Sequence, residues 1–379
     1  MRSTHDSKKA SKPLLWVGVG LIALTATGAA TVGASRARSH ATPQAAAQDL
    51  GWKPLVEALT PRPPEPEPEP SDEEAATVPE QREALFAVME KKLGLNAEAM
   101  QKVREIFAGS RLLSQGNPKT TQHPMKRSEC RRIRKEAGLK DGGHAMCGAP
   151  FMVPLFDPRA GQTERDARVC IDQFEFPGVP CEYPVVFPRS REAALLCEAV
   201  GKRICDAHEW EGGCAGALEP VEKEYDWGKE RIASSYFHNK DREVRWAYGK
   251  DKDHKKCGTG SFKNKKCNGG DPSVCGSNTY PAGSFPTCVS PLGVYDQHGN
   301  AAEHMNLPLA ADQVASARKY GVTEMKGSWF IFQSYEAHED DCRWRAWDWH
   351  GTTLMDKESH RNYHLGFRCC RDVEPQKAP

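Results

Sequence analysis

Fourteen cysteines constrain this chain of 379 residues more than any other feature of its sequence. They occur singly, apart from the adjacent Cys369 and Cys370, and none has the CxxC spacing that is typical of zinc ligands. The chain also contains 32 glycines and 27 prolines, which favour loops over long regular elements. We therefore predict a loop-rich fold held together by disulfides in an oxidising compartment. The formal net charge of +1 gives no reason to expect a nucleic acid as partner.

Cysteines that follow one another along the chain are the simplest candidates for disulfide pairs. Cys130 and Cys147 lie in an irregular stretch punctuated by prolines, and they predict one local bridge. Cys170 and Cys181 lie among short β-branched and aromatic runs that prolines interrupt, and they predict a second. A polar and basic insertion over residues 219–280 is expected to be held by further disulfides. The candidate cysteines are Cys257, Cys267, Cys275 and Cys288.

The N-terminal residues 1–35 predict a membrane anchor. Residues 14–34 carry no charge and are about long enough to cross a bilayer as one helix. Basic residues precede this run, which favours a cytoplasmic N-terminus. We therefore expect a single-pass protein of the inner membrane whose folded part lies in the periplasm. The alternative is a signal peptide cleaved near Ala34, after which the protein would be secreted.

Two further segments are expected before the main domain. Residues 36–78 are rich in Ala, Pro and Glu, and their alternating Pro and Glu predict an extended tether. Residues 79–149 form an extension that opens with a predicted helical hairpin and then becomes irregular. Gly94 interrupts the hairpin, and Asn96 is expected to cap its second helix. The main domain is expected over residues 150–373.

Two helices are predicted in the first half of the main domain. Residues 190–205 favour a helix that Ser190 caps and Gly201 ends. Asp206 is expected to begin a second helix, because Glu209 stands three residues later, as in a capping box.

One loop, LGVYDQHGNAAEH at residues 292–304, carries a candidate site. Gly299 and Asn300 predict a tight turn, because both residue types tolerate positive φ. The turn brings the carboxylates of Asp296 and Glu303 toward each other, with backbone carbonyls between them. Such oxygens are the ligands that a hard cation such as calcium prefers. The alternative is a surface turn whose two acids face water.

Tryptophan and arginine alternate near the C-terminus, in CRWRAWDWHG at residues 342–351. Arginine and indole side chains together are typical of contacts that hold a peptide or a small ligand. The predicted contacts are Trp329, Arg343, Trp344 and Arg345. The alternative is a strand with buried indoles and exposed arginines.

Several motifs occur in a fixed order, namely CIDQFEFP, LLCEAVGKRICDAHEWEGGCAG, GVYDQHGNAAEH, KGSW and GFRC. In order and approximate spacing they resemble the motifs of the formylglycine-generating enzyme, or sulfatase-modifying factor, superfamily. The resemblance covers about residues 150–372. It implies a loop-rich, disulfide-rich α+β domain of C-type-lectin-like fold, preceded here by the helical hairpin.

The resemblance also implies particular metal ligands and disulfides. The family's calcium is held by side chains that match Asp296 and Glu303 and by backbone oxygens that match Gly299 and Ala301. A second calcium site of the family begins at an asparagine that best matches Asn239. Two long-range disulfides are implied as well. They are Cys197 with Cys369, and Cys214 with a position near Cys342.

Family members that make formylglycine resemble copper-dependent oxidases, and they use a pair of cysteines shortly after a GGS motif. Two thiolates suit Cu(I), which is a soft ion. Counting on from the KGSW motif places the pair at Ile331 and Glu336, and counting back from Arg343 places its second member at Asp341. Because none of these residues is a cysteine, we expect neither copper nor the oxidase reaction.

A second branch of the superfamily resembles non-haem iron enzymes, which need a set of histidines. The candidates here are His338, His350, His360 and His364. Our leading expectation is a calcium-stabilised, non-catalytic module that binds a protein segment or a small ligand. The alternative is an oxidoreductase with a non-standard site, either for formylglycine generation or for iron chemistry at these histidines.

Overall fold

The structure is a computed structural model that describes residues 72–224, 243–315, 321–344 and 352–374. All of them belong to one unit, which begins at Pro68. Within these ranges no helix has the length and apolar character needed to cross a bilayer. The predicted anchor and most of the predicted tether lie outside the described residues.

The regular elements are short and mixed, as expected for a loop-rich α+β protein. The helices are α1 (Val78–Leu93), α2 (Ala97–Gly109), α3 (Arg127–Glu136), α4 (Ser190–Ala199), α5 (Ala207–Ala215) and α6 (Val221–Glu224). The strands are β1 (Met152–Leu155), β2 (Val169–Asp172), β3 (Arg203–Ile204), β4 (Ala302–Leu307), β5 (Val322–Lys326), β6 (Leu365–Phe367) and β7 (Cys369–Asp372).

The predicted helical hairpin is confirmed as α1 and α2. The amide of Thr77 donates to the Glu80 carboxylate at 3.0 Å, which completes a capping box at the start of α1. Gly94 ends α1 in the left-handed conformation, with φ of 65°. The Asn96 side chain then accepts a hydrogen bond from the Ala99 amide at 2.9 Å and so caps α2 as predicted.

The hairpin shares a hydrophobic core with the main domain. Its buried side chains include Met89, Val103 and Phe107, which belong to one cluster with Leu196 of α4 and Phe367 of β6. Burial of such side chains contributes roughly 1.5–3 kcal/mol each. The extension is therefore packed as part of the domain and is not a separate appendage.

Two small sheets build the main domain. The first has the strand order β1-β2-β7-β3 and is antiparallel throughout. The second has the order β5-β4-β6, in which β4 pairs antiparallel with β5 and parallel with β6. The apolar face of α5 lies between the sheets, where Trp210 packs in a cluster with Ile171 of β2 and Met305 of β4.

The two helix starts predicted in the main domain have different outcomes. Asp206 precedes α5, and its amide donates to the Glu209 carboxylate at 2.8 Å, as in the predicted capping box. Ser190 is instead the first residue of α4, because its hydroxyl is used elsewhere and donates to the Leu354 carbonyl at 2.8 Å. Gly201 ends this helix as predicted: α4 stops at Ala199, and Gly201 is left-handed with φ of 74°. The Gly201 amide donates to the Glu198 carbonyl at 3.0 Å, and the Lys202 amide donates to the Cys197 carbonyl at 2.8 Å, as in a Schellman motif.

All fourteen cysteines form disulfides. The two long-range pairs implied by the family resemblance are present, together with one that joins Cys370 of β7 to Cys205, the residue after β3. The predicted insertion cysteines pair among themselves. These five bridges are Cys197–Cys369, Cys214–Cys342, Cys205–Cys370, Cys257–Cys288 and Cys267–Cys275.

The two local pairs predicted from sequence order are wrong. Cys130 is bonded to Cys181, and Cys147 is bonded to Cys170. The reason is the antiparallel pairing of β1 with β2, which folds Cys170 back onto the turn that carries Cys147. The second pair therefore lies inside the loop that the first pair closes.

His123 links the extension to the main domain and predicts a pH dependence of stability. Its Nδ1 donates to the Thr279 carbonyl at 2.9 Å, and its ring stacks on Tyr183 at 3.5 Å. Burial lowers the pKa of His123 to about 3, so the folded protein keeps the ring neutral. In the unfolded chain the ring takes up a proton below about pH 6.5. The contribution of His123 to the free energy of unfolding is therefore full above pH 6.5 and falls as the pH drops toward 3.

We expect the wild-type chain to lose roughly 1 kcal/mol more unfolding free energy than His123→Gln between pH 6.5 and pH 5, a figure that allows for a partly exposed ring. Glutamine keeps a donor for the Thr279 carbonyl but does not titrate. Urea unfolding at the two pH values measures the difference. Equal losses in both proteins would contradict the assignment.

Candidate functional site

The loop at residues 292–304 is tightly curled and buried. Asp296, Gly299 and Asn300 have φ values of 57°, 79° and 53°, all left-handed. A side chain at Gly299 would place its Cβ 2.7 Å from the backbone of Gly258, so only glycine fits there. Asp296 and Glu303 are 2% and 1% exposed. The alternative of a surface turn with two solvated acids is therefore wrong.

Glu303 is held by a buried arginine. Arg368 donates from Nε and from a terminal nitrogen to the two carboxylate oxygens, at 2.7 and 2.6 Å. The indole of Trp210 donates to the same carboxylate at 3.0 Å. Arg368 also donates to the carbonyls of Asp172 and Tyr295, at 3.0 and 2.9 Å. One guanidinium thus ties β2, the loop and β4 together.

A third buried carboxylate, that of Glu175, lies under the loop. It accepts hydrogen bonds from the Asn300 side chain at 2.6 Å and from the Ala301 amide at 2.7 Å. Burial, followed by repulsion from Asp296 and Glu303, raises the pKa of Glu175 well above its usual range. Burial also raises the pKa of Asp296 to about 6. The site therefore holds three buried carboxyl groups around one guanidinium, and burial favours the protonated form of Glu175 unless a further cation joins them.

This donor set fits a hard cation in its chemistry. The Asp296 carboxylate and the carbonyls of Gly299 and Ala301 are oxygen ligands, and a divalent cation would favour the ionised form of the buried carboxyl groups. Glu303 fits less freely, because Arg368 engages both of its oxygens. The second predicted calcium ligand, Asn239, lies outside the described residues.

A buried polar network joins the loop to the KGSW segment. The Gly299 amide donates to the Ser328 hydroxyl at 2.9 Å, and that hydroxyl donates to the Asp340 carboxylate at 2.8 Å. Burial opposes ionisation of Asp340, but contacts with His254 and His298 hold its pKa well below the usual range. Ser328 is fully buried and donates to a carboxylate. This differs from a nucleophile, whose proton is taken by an adjacent base such as histidine.

The positions that match the family's copper ligands do not offer thiols. Ile331 is buried in an aromatic cluster, and Glu336 forms an ion pair with Lys252. Asp341 is buried, and its carboxylate accepts from the Arg343 amide at 3.0 Å. The neighbouring Cys342 is bonded to Cys214.

Side-chain donors of metal-ligating type converge at two other places in the described part of the chain. They are Cys214–His298–Cys342 and Cys205–Glu209–Cys370. Both groups contain a disulfide, whose sulfurs are not thiolates. Neither group is therefore a thiolate metal site in this structure.

Within the described residues, the predicted histidines do not form a group of three side chains placed to bind one metal ion. The Trp329 ring lies 5.7 Å from the ring of His338 and 4.3 Å from that of His364. His360 lies close to His304, whose pKa burial lowers to about 4. His350 lies outside the described residues.

The predicted tryptophan and arginine contacts are mostly withdrawn from solvent. Trp329 is 7% exposed and Arg343 is 1% exposed. Trp344 is half-buried and stacks on His338 at 3.9 Å, whereas Arg345 lies outside the described residues. Over the described residues 342–344 the alternative of a strand with exposed arginines is wrong, because the chain bends and turns there and Arg343 is buried.

Sequence reasoning missed Glu175 and Arg368 as parts of the site. Both stand within the quoted motifs, Glu175 in CIDQFEFP and Arg368 in GFRC. No local charge pattern indicates that they meet, because Arg368 is 65 residues from Glu303. The available signal was that a charged residue stands within a motif at a position that needs neither an apolar side chain nor a turn residue.

Comparison with known proteins agrees with the motif order. The family model described as a sulfatase-modifying factor enzyme 1-like domain matches residues 161–373. No curated protein matches the chain. The matched residues comprise both sheets except for β1, together with the curled loop and the disulfides that join them. The chain therefore belongs to the formylglycine-generating enzyme, or sulfatase-modifying factor, superfamily.

Proposed function

We propose that this chain is an exported, calcium-stabilised binding module that lacks the formylglycine-generating reaction of its superfamily. The observation that carries the proposal is that all fourteen cysteines are in disulfides. A copper site of the family's kind needs two sulfurs that can become thiolates. The cysteine nearest the matching positions, Cys342, is bonded to Cys214.

The disulfides also support export, because such bridges persist in oxidising compartments. The uncharged run at residues 14–34 supports an anchor in the inner membrane with the domain in the periplasm. Washing isolated membranes with alkaline carbonate tests this. An anchored chain stays in the membrane fraction, whereas a chain with a cleaved signal is released.

Calcium is supported by the three carboxyl groups that are buried together at the curled loop. Three carboxylates, those of Glu175, Asp296 and Glu303, are each at most 2% exposed and share the guanidinium of Arg368. Calcium would supply positive charge there and would hold the loop in shape. The residues that would bind it are Asp296, Gly299, Ala301 and, through part of its carboxylate, Glu303.

Removal of calcium is expected to lower the unfolding temperature of the wild-type chain but not that of Asp296→Asn. Calcium at 100 times its dissociation constant should stabilise the folded state by about 2.7 kcal/mol. Scanning calorimetry with calcium or with a chelator measures the difference. The control is Asp312→Asn, because Asp312 is an exposed acid and its variant should respond like the wild type. An equal calcium response in Asp296→Asn would contradict the loop site.

The non-catalytic part of the proposal has a separate test. The purified chain is incubated with Cu(I), oxygen and a sulfatase-derived cysteine peptide, and the product is analysed by mass spectrometry. We expect no formylglycine, and metal analysis should find calcium without stoichiometric copper or iron. Formylglycine product, or copper or iron at about one ion per chain, would overturn the non-catalytic assignment.

A further inference from the structure

A second site lies where the hairpin meets the main domain. A cavity of about 350 Å³ opens between the end of α2, the start of α4 and a loop near residue 360. Five cationic side chains line it, and we name it the cationic pocket. They are Arg111, Arg189, Arg191, Lys357 and Arg361.

The cations of this pocket are poorly matched by protein carboxylates. Glu192 also lines the cavity, but its carboxylate accepts from the Arg189 amide at 2.8 Å. The side chain of Arg189 pairs with the exposed Glu358 at 2.9 Å. Within the described residues, the other four cations have no ion pair within 4.0 Å. They are Arg111, Arg191, Lys357 and Arg361. Like charges that line one cavity repel one another, and a bound anion would offset this repulsion.

The walls of the pocket are fixed by buried hydrogen bonds. Arg82 donates to the carbonyls of Ser110 and Leu113, at 2.7 and 2.9 Å, and so holds the end of α2. The Ser190 amide donates to the Ser359 hydroxyl at 2.9 Å, which joins the start of α4 to the loop that carries Lys357. These bonds fix the backbone around the cavity, and Arg111 and Lys357 extend from it as exposed side chains.

The backbone adds to the positive potential. α4 has ten residues, and its N-terminal end borders the cavity at Arg189 and Arg191. The N-terminus of a helix carries roughly half a positive charge. Guanidinium groups also offer paired donors that match the oxygens of phosphate-like anions.

We propose that the cationic pocket binds a phosphate-type multivalent oxyanion, carried either by a soluble small molecule or by a lipid headgroup. This inference rests on the proposed function in one respect: it names the class of ligand that the proposed binding module would bind. The pocket shares no residue with the curled loop, and it combines the hairpin with the main domain. Loss of calcium binding or discovery of catalysis would therefore leave this proposal standing.

Titration of the full chain with inorganic pyrophosphate at fixed salt tests the pocket. Arg191→Gln should weaken binding about tenfold, because one charge-assisted contact is lost. The control is Lys265→Gln, which makes the same charge change in a lysine patch around the exposed Phe262. That control should bind like the wild type. Equal weakening by both variants, or no binding of pyrophosphate by the wild type, would overturn the proposal.

A second readout separates a binding role from a structural one. Without pyrophosphate, Arg191→Gln should melt at or above the wild-type temperature, because removing one cation relieves repulsion. With pyrophosphate, the order should reverse. A lower melting temperature under both conditions would show a structural role and would contradict the proposal.

The source of the anion is distinguished by vesicles. Sedimentation is compared for vesicles of phosphatidylcholine alone and for vesicles that also contain phosphatidic acid. Binding to the second kind that Arg191→Gln weakens assigns the pocket to a headgroup. Pyrophosphate binding without such vesicle binding assigns it to a soluble ligand, and either result supports the oxyanion site.

Discussion

Replacing Arg368 with methionine is expected to cost about 3–5 kcal/mol of unfolding free energy, because the change removes one partner of a buried ion pair. Arg368 is fully buried, and its guanidinium engages both oxygens of Glu303. Its loss leaves the carboxylates of Glu175, Asp296 and Glu303 buried without the charge that they share. The carbonyl of Tyr295 also loses its donor.

Urea unfolding in the presence of a chelator measures this effect without a contribution from calcium. The matched control is Arg132→Met, whose partner Glu136 lies four residues away on the same helix with both side chains more than half exposed. An exposed pair of this kind contributes about 0.3–0.5 kcal/mol. A loss in Arg368→Met as small as that of the control would show that the carboxylates are not buried as charges.

Removing the Cys214–Cys342 disulfide should have a comparable effect. The bridge closes a separation of 128 residues, for which loop-closure entropy gives about 5 kcal/mol. The double variant Cys214→Ala and Cys342→Ala is compared with Cys267→Ala and Cys275→Ala. The second bridge closes only 8 residues, for which the same relation gives about 2.5 kcal/mol.

Denaturant unfolding and an oxidase assay together decide the role of Cys342. A larger loss of stability for the 214–342 variant identifies a structural bridge. Unchanged stability, combined with loss of a formylglycine-forming activity that the wild type shows, would instead identify Cys342 as a catalytic thiol and would overturn the proposed function. Free-thiol titration of the wild type should find no reactive cysteine.

Local signals in the sequence predicted local structure well. The hairpin, the cap at Asn96 and the box formed by Asp206 and Glu209 depend on residues within one helical turn. The prediction for Ser190 failed because its hydroxyl bonds to Leu354, which is 164 residues away. Capping preferences consider only neighbouring residues, so they do not account for hydrogen-bond partners from distant parts of the chain.

Predictions that needed tertiary information depended on the resemblance. It implied Cys197–Cys369 and the Cys214 bridge, whereas sequence order alone gave wrong partners for Cys130 and Cys147. The alternation of arginine and tryptophan did not indicate the burial of Arg343, which lies in a turn after the bend at Asp341. An alternating pattern indicates an exposed face only when the segment is a strand.

Four disulfides of the main domain lie one inside another, and this has a consequence for oxidation of the chain. Cys267–Cys275 lies within Cys257–Cys288, which lies within Cys214–Cys342, which lies within Cys197–Cys369. Their separations are 8, 31, 128 and 172 residues, so each inner bridge shortens the path that the next must close. The order of disulfide formation with the smallest loop-closure entropy cost therefore begins in the lysine-rich insertion and proceeds to the outer bridges. The bridges of the adjacent Cys369 and Cys370 form last, when the C-terminal strand β7 pairs with its neighbours.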